Sequence, residues 1–61
     1  MLGQKYKKVS EPNAGHAYNV QGRGKTGHVH EWLLCRESDV LDRHLVAEHE
    51  LGNQSLWIRI E

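Results

Sequence analysis

"SDVLDRHLVAEHEL", residues 38–51, decides the fold of this chain, because it is the stretch that can be read as a helix. Ser38 is a suitable N-cap, and Asp39 and Asp42 lie early, where a helix dipole favours negative charge. Gly52-Asn53 supplies a C-terminal stop. At 100° per residue, Val40, Leu41, Leu45, Ala47 and Leu51 share one arc. His44 and Glu48 fall inside the same arc, one turn apart, and would hydrogen-bond at the rim. Asp39 and Arg43 would pair on the outer side. The spacing therefore predicts a helix over 38–51.

Strands surround it. Residues 28–36, HVHEWLLCR, are the strongest, and 16–21, HAYNVQ, read as another. Residues 56–61, LWIRIE, form a last strand with Leu56, Ile58 and Ile60 on one side and Trp57, Arg59 and Glu61 on the other. Residues 4–9 read as a short edge strand or an ordered arm, its lysines discouraging edge pairing, and 10–15 as a loop. The predicted class is α+β: one domain over 1–61, a three- to four-stranded, mostly antiparallel sheet in β-β-α-β order, with one helix packed on one face. A right-handed crossover would set the last strand parallel to the strand before the helix.

One helix covers one face. Leu56, Ile58 and Ile60 are assigned to it, together with Val29, Glu31, Leu33 and Cys35. The opposite face would carry His28, His30, Trp32, Leu34 and Arg36, joined by Trp57, Arg59 and Tyr18. Exposed aromatic patches mark interfaces, and Trp, Tyr and Arg are enriched at their energetic centres. Trp32, Trp57, Arg59, Arg36, His30 and Tyr18 are thus the candidate partner-binding residues. The competing reading places both tryptophans in the core, since large aromatics are buried on average.

Sixty-one residues make a small core, with 38% hydrophobic content and no phenylalanine. One cysteine, Cys35, excludes an intrachain disulfide. Neither a leader-like apolar run after Met1 nor a stretch of about 20 apolar residues is present, which points to an intracellular protein off the membrane. The zero net charge is unevenly placed. Residues 1–27 carry Lys5, Lys7, Lys8, Arg23 and Lys25 against Glu11, a net of +4, and residues 28–61 carry −4.

Gly24-Lys25-Thr26 ends like a phosphate loop, but Asn19 stands where its first glycine belongs and a strand, not a helix, follows. Neither a nucleotide nor another cofactor is expected. His28 and His30 are a metal pair on one strand face, without the spacing of a structural zinc site. Cys35 or Ser38 with a histidine lacks a third orienting group, so no enzyme is expected. The reading that follows is a small protein-binding or regulatory module, either a homodimer or an inhibitor or adaptor of a larger protein. Nucleic-acid binding through the aromatic face, with Lys5, Lys7, Lys8, Arg23 and Lys25 along phosphates, is the alternative. Metal binding through the histidines is the second alternative.

Overall fold

The computed structural model describes residues 2–24 and 30–61. It is a five-stranded antiparallel sheet with one helical turn, not the β-β-α-β arrangement expected from the sequence. The strands are β1 (Lys5–Lys8), β2 (Ala17–Arg23), β3 (Glu31–Arg36), β4 (Asp39–Ala47) and β5 (Trp57–Arg59); α1 is Glu48–Leu51. Their order across the sheet is β4-β3-β2-β1-β5. The last strand lies antiparallel beside the first, so the parallel crossover does not occur. β1 is an interior strand between β2 and β5, not an edge.

The expected helix is a strand for most of its length because its signals are shared between the two structures. Residues four apart, such as Leu41 and Leu45, share a side in a helix and also in a strand. Ser and Asp favour turns as much as N-caps. Here Glu37 and Ser38 form the turn from β3 into β4. Along β4, Asp42, His44 and Val46 alternate with the exposed Arg43 and Leu45, a period of two. Only the last four residues of the stretch are helical.

β4 is bulged. Cys35 pairs with Arg43 and Arg36 with Asp39, so the three residues Val40, Leu41 and Asp42 have no opposite number on β3. Bulges re-aim side chains, and this one lies on an edge strand, where bulges concentrate. A second irregularity lies between Val20 and Gly22 on β2.

The sheet buries one face. Tyr6, Tyr18, Val20, Trp32, Leu34, Val46, Leu51 and Trp57 form the core, with Leu56 packed against it. α1 touches both β4 and β5, the two ends of the strand order, and places Leu51 in that core. Trp57 stands edge-on to Tyr18, ring centres 5.3 Å apart. The exposed-aromatic-face expectation is therefore corrected: Trp57 is 5% exposed and Trp32 is also buried. The sheet side carrying Trp32, Leu34 and Trp57 is the inner one; Leu33, Leu45 and Ile58 lie on the outer. Aromatic rings bury the most apolar area per residue. A short chain without phenylalanine turns its two tryptophans and two tyrosines inward and leaves Ile58 and Ile60 exposed.

Candidate functional site

Two features stand out at the β4 edge. The first is a polar knot on the inner side, centred on the carboxylate of Asp42. The Tyr18 hydroxyl donates to Asp42 Oδ2 at 2.7 Å, and Asn13 Nδ2 donates to the same oxygen at 3.2 Å. Arg36 Nη1 lies 3.5 Å from Oδ2. His44 Nε2 is 2.8 Å from Oδ1, within ion-pair range, although its geometry does not meet that of a hydrogen bond. Arg36 also reaches Asp39 Oδ2 at 3.8 Å, while its buried Nε has no hydrogen-bond partner among the described residues. The His44 ring stands edge-on to Tyr18, centres 5.5 Å apart.

The knot shifts its members' proton affinities. The Tyr18 hydrogen bond holds the Asp42 carboxyl below its ordinary value; partial burial opposes this, and His44 and Arg36 reinforce it. Burial, then the hydrogen bond to Asp42 and its charge, push the Tyr18 hydroxyl up. A carboxyl with a lowered folded-state value contributes stability above its ordinary value of about 3.9, and that stability is lost as pH falls through the lowered value. The melting temperature should accordingly drop on acidification below about pH 4. Asp42→Asn should flatten that drop, and an unchanged acid limb in the variant would assign it to other carboxyls.

Tyr18 is wholly buried, and no pocket opens among the described residues. Cys35 lies on the sheet side of Asn19 and Arg43, away from the knot, with Sγ 3.4 Å from the Val40 carbonyl. The effect of the knot is to tie the 9–16 loop, through Asn13, to the bulge of β4. That loop holds a cis Glu11–Pro12 peptide and left-handed backbone at Asn13 (φ 67°) and Gly15 (φ 90°).

The second feature is the aliphatic residues of the bulge. Leu41 is 86% exposed and Val40 63%, with Leu45 following at 56%. Two backbone groups beneath them are bonded from within: Asp39 Oδ1 accepts from Leu41 N at 3.1 Å, and the Val40 carbonyl accepts from Arg43 Nε at 3.0 Å.

The candidates drawn from the sequence are dispersed. Tyr18, Trp32 and Trp57 are in the core, and Arg36 belongs to the knot. His30 is exposed beside the start of β3, and Arg59 is exposed on β5 with Nε donating to the Glu61 carbonyl at 3.4 Å. Asp39 and Arg43 do not pair with each other: Asp39 faces Arg36. His44 and Glu48 also part company, because Glu48 Oε1 accepts from Trp32 Nε1 at 3.2 Å.

Among the described residues, the basic side chains are engaged separately. Lys5 meets Glu37 and Glu61, each at 3.2 Å, and these two, Glu37 first, raise its pKa. Arg23 lies over the Trp32 ring, 5.0 Å from its centre. Lys7 is exposed and Lys8 half-buried. Lys25 and His28 lie outside the described residues. Among those described, no three His, Cys, Asp or Glu side chains are grouped to hold a metal, and no helix is long and apolar enough to cross a membrane.

Sequence reasoning missed Asp42, Asn13, Val40 and Leu41. Reading 42, 44 and 46 with a period of two would have set Asp42 beside His44 on the inner side. No protein-family model matches the chain, and no curated protein or solved structure shows significant similarity to it.

Proposed function

We propose that the chain is a small protein-binding module whose contact surface is the aliphatic bulge on β4. The observation that supports this is the exposure of Leu41 and Val40 on an edge strand, above a network that fixes their backbone. Solvated leucines scattered singly are ordinary. An adjacent valine and leucine, presented by a bulge held by Asp42, Tyr18 and Asn13, make a pre-formed contact. Fixing the backbone beforehand lowers the ordering cost of association.

Nucleic-acid binding has less support. The rings that would stack on bases are buried, and Lys5 is occupied by two carboxylates.

The test is a photo-crosslinking residue at position 41, with the same residue at the exposed Gln54 as control. Position 41 should give a discrete protein adduct in cells at least ten times as abundant as at position 54. Equal, diffuse labelling at both would sink the proposal.

A further inference from the structure

We infer that the end of the β3–β4 hairpin has two registers, and that the contact surface exists in only one of them. The two registers stand on the backbone and Arg36; their effect on binding rests on the reading of the β4 bulge as a contact surface. Every pair from Glu31 opposite Ala47 to Cys35 opposite Arg43 keeps one register. Its next rung would set Arg36 opposite Asp42. The structure sets Arg36 opposite Asp39 instead, closes the hairpin with Glu37 and Ser38, and extrudes Val40 and Leu41. The other closure is a ladder one rung longer with residues 37–41 as its loop, a length that hairpins also use.

Arg36 is set for both closures. Its Nη2 lies 3.8 Å from Asp39 Oδ2, the partner in the observed register, and its Nη1 lies 3.5 Å from Asp42 Oδ2, the partner in the other. Its backbone is also turned the right way. Glu37 N donates to the Ala17 carbonyl at 2.9 Å, so Glu37 faces its backbone to β2, and Arg36 faces its own to β4. The observed turn is a poor one: two-residue hairpin loops favour positive φ, and neither Glu37 nor Ser38 has it. Asp39 is what holds the observed register, since its Oδ1 accepts from Leu41 N at 3.1 Å while its Oδ2 meets Arg36. Asp42 keeps its inner position in both registers, bonded to Tyr18 and Asn13, so the exchange is confined to 37–41 and leaves the core untouched. In the longer ladder Val40 and Leu41 lose their fixed backbone, and with it the low ordering cost that makes them a contact. Anything that binds the bulge therefore selects the observed register.

The test is nuclear magnetic resonance of the full chain. Relaxation dispersion of the wild type should show exchange at residues 37–41 and none in β2. Asp39→Ala should shift the population to the longer ladder: the Leu41 amide loses protection, and a coupling appears across a new bond from the Asp42 amide to the Arg36 carbonyl. Glu37→Asn with Ser38→Gly supplies the turn that a two-residue loop prefers, and should abolish the dispersion. An Asp39→Ala variant that only disorders 37–41, without the bond from Asp42 to Arg36, overturns the inference. Should that variant not fold, dispersion that persists unchanged in the Asn-Gly variant overturns it equally. The photo-crosslink at position 41 separates the registers from the contact. Asp39→Ala should lower its adduct at least fivefold. An undiminished adduct overturns the link between register and surface. A wild type with no adduct removes the contact surface, while the bond from Asp42 to Arg36 in Asp39→Ala would still establish the two registers.

Discussion

Trp57→Ala should leave the chain largely unfolded at 25 °C. Truncating a core tryptophan costs about 3–5 kcal/mol. A domain of this size has about 3–9 kcal/mol in total, at roughly 0.05–0.15 kcal/mol per residue. Trp57 lies on β5, a strand of three residues whose sheet partner is β1 and which otherwise meets α1, so few backbone bonds retain it. Its ring also backs Tyr18, which carries the knot. Far-UV circular dichroism and urea titration measure the outcome without relying on the lost fluorophore. A variant that keeps its midpoint while losing self-association would return Trp57 to the surface role first suggested by the sequence.

The second large effect is expected at Tyr18→Phe. The ring and its packing stay, and only the hydroxyl at 2.7 Å from Asp42 is removed. A hydrogen bond to a charged group contributes about 1.5–3 kcal/mol. Asp42 keeps Asn13, His44 and Arg36, so the lower half of that range is expected. The urea midpoint should fall with no change in slope, the signature of lost stability in an unchanged fold. The acid limb of stability should become shallower as well, because the first cause of the lowered Asp42 carboxyl is gone. Should Tyr18→Phe equal wild type in both, the bond is replaced by water and the knot holds nothing.

These expectations also show what could be read from the residues. β1, β2, β3 and β5 were each legible within a few positions, because Val, Tyr, Trp and Ile alternate there between glycine and proline breaks. Their arrangement was not legible, since one misread element moved all the others. With 38–51 as a helix, Ile58 and Ile60 needed an apolar cover, and Trp57 had to face away. With 39–47 as a strand, that cover does not exist, and the larger rings claim the inner side. The error was one of period: Leu41 and Leu45 fit 3.6 and 2.0 equally, and Val40 and Val46 were β-branched residues counted toward a helix. The Asp42 knot was hidden for another reason. Apart from His44, two residues along the strand, its partners come from positions 13, 18 and 36, and no local pattern joins them.

The pairing of first and last strands has a mechanical consequence. Tyr6 lies opposite Arg59 and Lys8 opposite Trp57, while Lys5 N donates to the Glu61 carbonyl at 2.8 Å. Residues 5 and 61 are therefore at the same end of one ladder. Tension applied at residue 61 against residue 5 loads that ladder rung by rung from its end, not all rungs together in shear. The chain should peel open from β5 under little force, Trp57 should leave with it, and anything that pulls on either terminal segment meets the weakest direction of the sheet first.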